Sequence, residues 1–212
     1  MAVSLIPDLN LFMMCEHKVQ AAFSTLPESF YFDLCRGDEL DIWKRMHFDF
    51  PDAEALSYMN NYFDCVYREQ KELFFSRCLF VRNQNDQPVA SCFIWKAYQT
   101  VNTLHWLKVK REYENLGIGR ALLSRVLGEL SDSDFPVFLH TQPSSFRAIK
   151  LYTDFGFSFI TDPMIGFRKN ELADALPILQ RHMPEKAYRA LRFCKAPAFF
   201  LEAASSSPVN EF

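Results

Sequence analysis

The six cysteines of this 212-residue chain form no C-x-x-C pair, and this absence excludes two classes of protein. Structural zinc sites need cysteines or histidines at short fixed spacings, and disulfide-rich domains need a dense cysteine framework. Scattered cysteines, most of them inside apolar runs, are instead typical of reduced core thiols in a cytoplasmic protein. The cysteines concerned are Cys15, Cys35, Cys65, Cys78, Cys92 and Cys194.

An excess of positive charge is also missing. The chain has 23 basic and 26 acidic residues and a net charge of −3, which gives no electrostatic reason to bind nucleic acid or an anionic membrane. No apolar run approaches the length of a membrane span, and the amino terminus lacks the basic start and long apolar stretch of a signal peptide. We therefore expect neither nucleic acid nor a membrane as a partner.

The chain does contain enough apolar sequence for a large core. Hydrophobic residues make up 49% of it, and the 22 phenylalanines predict an aromatic-rich core. Strand and helix patterns come in mixed order: strands and helices first, then a hairpin, then strand, helix, strand, helix and strand. That order predicts an α/β (α+β) fold in which helices cover both faces of a central sheet.

Local patterns add three expectations about helices. Apolar spacing indicates one long helix over Ala53–Phe75. Asp38 is the expected N-cap of the helix that precedes it. A helical segment over 171–192 should be interrupted at Pro177 and Pro184, because proline removes a backbone donor and clashes with the preceding turn.

The stretch Leu107–Leu123 says most about function. A short apolar strand leads directly into a glycine-containing turn, and the turn leads into an amphipathic helix. The first N–H groups of that helix have no intrahelical acceptor, and Gly117 and Gly119 carry no side chain that would keep a ligand away. Orphan donors and the positive end of the helix dipole together favour a bound phosphate.

Two common nucleotide-binding motifs do not fit this turn. A dinucleotide-binding fold needs a third glycine and a position early in the chain, whereas Leu122 stands at the third position and the turn lies past mid-chain. A P-loop needs Gly-Lys-Ser/Thr, which is absent. The turn therefore indicates a phosphate site of another kind.

Two segments together resemble the Gcn5-related N-acetyltransferase (GNAT) superfamily. Residues 148–157 read Ala-Ile-Lys-Leu-Tyr-Thr-Asp-Phe-Gly-Phe, which is similar to the family's A-x-x-L-Y-x-x-x-G-F motif. The other segment looks like the family's acetyl-CoA-binding motif through Leu107-x-Val109, Tyr113, Gly117-Ile118-Gly119 and Ala121-Leu122-Leu123. The resemblance covers about residues 30–167 and is strong from 103 to 159.

The resemblance implies a mostly antiparallel sheet that is splayed at the cofactor site, and acetyl-CoA as co-substrate. Pantetheine would lie along the strand before the turn, and the pyrophosphate on the amides of the turn. The implied cofactor-binding residues are Leu107, Val109, Asn115, Leu116, Gly117, Ile118, Gly119, Arg120 and Ser145.

Glu114 departs from the family, which usually has Gln or Arg at this position. Its repulsion of a pyrophosphate, about 1 kcal/mol per charge in a water-like dielectric, is smaller than the gain from several amide hydrogen bonds to charged oxygens. Arg120, and less directly Arg147 or Lys150, could offset the carboxylate.

Acyl transfer to an amine needs a proton donor and a proton acceptor. Tyr152 matches the position that the family commonly uses as general acid, and the alternative is a ring packed in the core. His105 stands where arylalkylamine N-acetyltransferases carry a histidine, and an imidazole suits proton acceptance at neutral pH. A structural role for His105, His140 as the base, or a chain of water molecules all remain open.

The sequence thus predicts an N-acetyltransferase that transfers an acetyl group from acetyl-CoA to a primary amine by direct attack in a ternary complex. The alternative is a catalytically impaired acyl-CoA-binding or regulatory protein. We expect a catalytic domain over 1–170 with its core at about 30–167, a helical extension over 171–202 and a flexible tail over 203–212. The acceptor stays unidentified, no metal is expected, and the protein should be a monomer or homodimer.

Overall fold

The structure is a computed structural model that describes residues 6–212 of the chain. Residues 1–5 lie outside the described residues. The region considered for a signal peptide and the expected catalytic domain both begin with these residues. None of the helices within 6–212 has the length and apolar character needed to cross a membrane.

A mixed, mostly antiparallel sheet forms the centre of the fold. Eight strands are ordered β10-β7-β1-β6-β5-β4-β3-β2, and neighbours run antiparallel except β5 with β6 and β7 with β10. Two further short strands, β8 and β9, pair as a separate hairpin. The strands are β1 (Leu11–Cys15), β2 (Phe30–Leu34), β3 (Leu79–Asn83), β4 (Pro88–Ala97), β5 (Val101–Val109), β6 (Val137–Thr141), β7 (Ser158–Ile160), β8 (Met164–Ile165), β9 (Arg168–Lys169) and β10 (Phe193–Cys194).

Helices cover both faces of this sheet, as the element order predicts. Successive residues of a strand point to opposite faces, and β1 divides accordingly: Phe12 and Met14 join one core, and Leu11, Met13 and Cys15 the other. The helices are α1 (Leu40–Met46), α2 (Ala53–Val66), α3 (Lys71–Arg77), α4 (Ile118–Gly128), α5 (Phe146–Asp154), α6 (Leu172–His182), α7 (Glu185–Arg189) and α8 (Ala198–Ser206).

We call the two sides the α1–α3 face and the α4–α5 face. The α1–α3 face, which α8 also covers, is dominated by aromatic rings around Trp43, Tyr67 and Phe93. The α4–α5 face is mainly aliphatic and includes Leu122, Leu123 and Leu127 of the helix that follows the glycine turn. The aromatic-rich core expected from the phenylalanine content is therefore concentrated on one side of the sheet.

The helix predicted over Ala53–Phe75 is divided in the structure. It breaks after Val66 into a short 3-10 turn and then α3. Tyr67, at the break, is fully buried, and its ring contacts Trp43, Phe74 and Trp95. Apolar periodicity continues across the break because both halves face the same core, so the pattern does not reveal where tertiary packing redirects the chain.

Helix α1 begins one residue later than predicted, because Glu39 and not Asp38 occupies its N-cap position. The Glu39 carboxylate accepts a hydrogen bond from the Arg36 backbone N–H at 2.8 Å. It also accepts two hydrogen bonds from the fully buried guanidinium of Arg82, at 2.6 and 2.8 Å. A buried arginine needs such a partner, and this requirement outweighs the local capping preference of aspartate.

The carboxyl-terminal region is integrated into the fold. Pro184 separates α6 from α7 as predicted, but α6 continues through Pro177, so that expected interruption is wrong. The expected flexible tail over 203–212 also differs from the structure, in which α8 extends to Ser206 and Phe212 is buried. An apolar set that includes Ala204 and Phe212 packs on the α1–α3 face and holds the segment in place.

Candidate functional site

A cleft opens in the middle of the sheet, between β5 and β6. The two parallel strands pair at one position only, Thr103 with Phe138, and diverge beyond it. Backbone groups beyond that position have no ladder partner across the gap and are available to a ligand. The cleft has a volume of about 1700 Å³ and is lined by residues 104–109 of β5, by the glycine turn and by α5. The splayed sheet implied by the resemblance is thus present.

A bulge at Trp106 changes the course of β5 within the cleft. Trp106 has a φ of +53°, and the register with β4 shifts opposite it. A bulge adds one residue, so the alternation of faces is interrupted. Trp106 therefore packs on the α1–α3 face with His105, whereas Leu107 and Val109 pack on the α4–α5 face, which regular alternation along the strand would not produce. Both Leu107 and Val109 line the cleft.

The glycine turn presents six consecutive N–H groups without acceptors. Asn115 and Gly117 have left-handed backbone conformations, with φ of +64° and +83°, and no side chain caps α4. Among the described residues, none of the N–H groups of residues 115–120 donates a hydrogen bond to an acceptor. Successive N–H groups in such a turn, together with the positive end of an 11-residue helix, form an anion-binding concavity.

Gly119 is not required by the packing of the protein itself. A Cβ built there would lie 3.5 Å from the Val109 side chain and 3.6 Å from the Leu151 side chain, which is ordinary van der Waals contact. Its φ is not positive, so the helix would accept alanine. Packing within the protein therefore does not require glycine at this position. A glycine in a turn that lines the cleft is consistent with close approach of a ligand to the main chain.

Charged side chains around the turn form ion pairs. The Glu114 carboxylate accepts a hydrogen bond from Arg147 Nη1 at 2.6 Å, so the charge that departs from the family is compensated from α5. The Arg120 guanidinium binds Asp154 and the carbonyl oxygen of Ala22, which leaves its backbone N–H as the group directed to the turn. Ser145, at the N-cap of α5, lines the cleft but makes no capping hydrogen bond through its side chain.

Tyr152, the predicted acid, lies on α5 with its side chain buried against the cleft. It is 6% exposed, and its hydroxyl makes no hydrogen bond among the described residues. Burial raises the pKa of this phenol. The hydroxyl therefore stays protonated at neutral pH and is free to donate.

His105, the first predicted base, has both ring nitrogens engaged. Thr103 Oγ1 donates to the carbonyl oxygen of Trp95 at 3.0 Å, so it accepts from His105 Nε2 at 2.7 Å. Nδ1 must then be the acceptor, and the Tyr67 hydroxyl donates to it at 2.5 Å. The ring is 2% exposed, and burial lowers its pKa to about 3. This geometry leaves no nitrogen of His105 free to receive a proton from a substrate.

His140, the second candidate, has one nitrogen available. The side-chain amide of Asn10 is oriented by Glu171, so its Oδ1 faces His140 and accepts from Nε2–H at 3.0 Å. Nδ1 is therefore unprotonated, and it has no partner among the described residues, while the ring lines the cleft. Burial, with a smaller contribution from the charge of Arg168, lowers the pKa of His140 to about 3.

Sequence reasoning missed several residues at the end of the cleft distant from the glycine turn. They come from the end of α1, from α2 and β9, and from the carboxyl-terminal segment, and no local motif connects these parts of the chain. Phe48 and Trp106 line this end of the cleft, whereas Phe50 is 87% exposed and residues 161–166 lie outside the lining. The residues missed are His47, Tyr58, Tyr62, Arg168 and Phe212.

The model of the acetyltransferase (GNAT) family matches residues 41–157, which is more than half of the chain. The chain therefore belongs to the GNAT acetyltransferase family, whose fold supports acyl transfer. No curated protein matches its sequence significantly.

Several solved structures to which the chain is similar are described as acetyltransferases, and their sequence identity to it is low. A GNAT-family acetyltransferase from Colwellia psychrerythraea is 14% identical, with a TM-score of 0.48 over 74% of this chain and 54% of that one. A GCN5-related N-acetyltransferase from Sphaerobacter thermophilus is 18% identical, with a TM-score of 0.45 over 64% and 43%. The diaminobutyrate acetyltransferase of Paenibacillus lautus, solved with its substrate and coenzyme A, is 11% identical, with a TM-score of 0.44 over 58% and 72%. The chain thus spans about half of the length of the first two.

Three buried neutral histidines predict a loss of stability in mild acid. The pKa values of His47, His105 and His140 are each lowered to about 3 by burial, against an unfolded value near 6.5. Between these values the unfolded chain binds protons that the folded chain excludes, so the free energy of unfolding must fall as pH drops from about 6.5 towards 3. At pH 5 we expect the free energy of unfolding to be lower than at pH 7.5 by about 2 kcal/mol for each of these histidines. Urea unfolding across this range measures it.

A His105→Gln variant should reduce the slope of this free energy with pH by about 1.4 kcal/mol per pH unit, which is one proton. A free energy of unfolding that is constant from pH 7.5 to 5, in both proteins, would contradict the buried neutral state.

Proposed function

We propose that the protein is an N-acetyltransferase that uses acetyl-CoA and a primary amine. The observation that carries this proposal is the row of six unpartnered N–H groups at residues 115–120, which lies at one end of a cleft in a splayed sheet. A pyrophosphate needs several hydrogen-bond donors in one concavity, and the turn offers them without competition from protein acceptors. The family of the chain supports the same assignment.

In this proposal the cofactor lies along the cleft. Leu107 and Val109 provide unpaired backbone for the pantetheine, residues 115–120 bind the pyrophosphate, and Ser145 lies at the start of α5 on the opposite wall. Arg111, which also lines the cleft near the turn and has no ion-pair partner among the described residues, is placed to contact a phosphate. When bound, acetyl-CoA supplies a thioester, whose acetyl group is the one transferred.

Two side chains would handle the protons. Tyr152 is the proposed acid, because its hydroxyl is protonated, uncommitted and at the cleft. His140 is the proposed base in place of His105, because of these two predicted candidates His140 alone offers a ring nitrogen without a partner. We assign His105 a positioning role: its hydrogen bonds hold Tyr67 and Thr103 next to the point at which β5 and β6 separate.

We propose a cytoplasmic location, because all six thiols are unpaired and four of them are buried. We also retain a catalytic domain over 1–170 with an extension over 171–202, although α6 and β10 of the extension share the core and the sheet with that domain. The alternative function, acyl-CoA binding without transfer, keeps the same cofactor site and differs only in turnover.

The phosphate site is tested by Gly119→Ala. The added methyl group fits the folded protein beside Val109 and Leu151, which both line the cleft, and would obstruct close approach of the pyrophosphate, so we expect the affinity for CoA to fall by at least about tenfold, the equivalent of one charge-assisted hydrogen bond. Isothermal titration calorimetry measures this. Gly128→Ala, at the other end of α4, is the matched control and should bind CoA normally. Equal affinity in the two variants would refute the site.

Tyr152→Phe tests the acid. Removing only the hydroxyl should lower kcat by about 10²-fold or more, while the dissociation constant for CoA stays within about twofold. Thiol release with a panel of primary amines gives the rate, and Tyr188→Phe, outside the cleft, is the control. A kcat that survives the change would remove Tyr152 from the mechanism.

The choice between the histidines is tested by His140→Gln and His105→Gln. We expect His140→Gln to lower kcat by about 10²-fold at unchanged CoA affinity, whereas His105→Gln should mainly lower the melting temperature. The rates are compared at a temperature at which both variants are folded. If His105→Gln abolished turnover and His140→Gln did not, the base would be His105.

A further inference from the structure

Among the partly buried cations that line the cleft, one has no counter-charge within the described residues. Arg168, the first residue of β9, has no described carboxylate oxygen within 4.0 Å of its guanidinium. Its Nε is buried without a hydrogen-bond partner, and its terminal nitrogens also lack one within residues 6–212. Other cations of the same cleft are paired: Lys108 with Asp49 and Arg147 with Glu114.

Aromatic rings hold the guanidinium in place without neutralising it. It lies 4.8 Å from the ring centroid of Phe12 and 5.4 Å from that of Phe212. The titratable groups nearest to it are the phenols of Tyr98, Tyr62 and Tyr58, and these carry no charge at physiological pH. Arginine does not lose its proton in proteins, so the site keeps a full positive charge with open hydrogen-bond donors.

The position of Arg168 relates it to the acceptor rather than to the cofactor. Phe12, on which it stacks, also contacts the ring of His140, with centroids 5.1 Å apart. His140 lies two residues beyond Phe138, the last residue of β6 that pairs with β5. The arginine is therefore next to the proposed base and on the α1–α3 face, whereas the glycine turn precedes α4 on the opposite face.

We propose that the acceptor amine also carries a carboxylate, and that Arg168 binds this carboxylate while the amine faces His140. The planar guanidinium matches a carboxylate through paired hydrogen bonds, and the buried surroundings strengthen such a contact. This inference rests on the proposed function, because it identifies the substrate class of the same site. Amino acids and related amino carboxylates are the class concerned.

Substrate binding would then also prepare the base. The charge of Arg168 contributes to the lowered pKa of His140, after the larger effect of burial. A carboxylate on Arg168 compensates that charge, so the pKa of His140 rises when the acceptor binds. The same contact would position the amine and make the neighbouring imidazole a stronger proton acceptor.

The test compares amines that differ only in the carboxylate. The twenty L-amino acids and β-alanine are assayed beside their carboxamides, by thiol release with saturating acetyl-CoA and by calorimetric titration into the protein with and without CoA. We expect the best carboxylate to exceed its carboxamide in kcat/KM by at least about 30-fold, and this preference to fall to near unity in Arg168→Met. Arg168→Lys keeps the charge but not the paired geometry, so its preference for the carboxylate should be intermediate between those of the unmodified protein and Arg168→Met.

Lys169→Met is the matched control, because it removes a positive charge from the adjacent, exposed residue of the same strand. It should keep the preference of the unmodified protein. Carboxamides that react as well as carboxylates, or a preference that persists in Arg168→Met, would overturn the inference while leaving the acetyltransferase intact. If no amine reacts, the titrations decide: carboxylate binding that Arg168→Met abolishes supports the site, and absence of binding by every carboxylate refutes it.

Discussion

The parting of β5 from β6 after a single paired position is the constraint on which the site depends. A parallel pair normally satisfies the main-chain groups of both strands, and here that satisfaction ends at Thr103 and Phe138. The bulge at Trp106 and the left-handed turn at residues 115–117 continue the departure from regular structure and leave more donors unpaired. Residues 115–117 are exposed, so a ligand in the cleft can reach these donors.

The two faces of the sheet contribute different groups to the cleft. The α4–α5 face supplies the free amides and Tyr152, and the aromatic α1–α3 face supplies His140, Arg168 and the rings that surround them. Ion pairs around the glycine turn, such as that of Glu114 with Arg147, remove charges that would otherwise oppose an anionic cofactor. Among the described residues, the site thus carries one cation without an ion-pair partner at each end: Arg111 near the glycine turn and Arg168 at the far end.

The sequence predicts what is encoded locally. Leu107–Leu123 contains strand, turn and helix in one continuous run, so the phosphate turn can be recognised without tertiary information. The class of the fold follows from the order of the elements for the same reason. The break at Tyr67, the continuation of α6 through Pro177 and the packing of Phe212 depend on distant partners, and local propensity does not contain them. Arg168 is the clearest example: in the sequence it is an ordinary surface-type residue, and only its contacts with Phe12 and Phe212 make it notable.

The central claim is that the N–H groups of residues 115–120 bind the pyrophosphate of CoA. The most direct measurement is a ¹H–¹⁵N nuclear magnetic resonance titration of the protein with CoA, which observes each of these amides separately. The account predicts that these six resonances shift downfield more than those of the rest of the chain, with smaller changes along residues 104–109. Saturable CoA binding that leaves the six amides unshifted, or the absence of any binding at millimolar CoA, would contradict it.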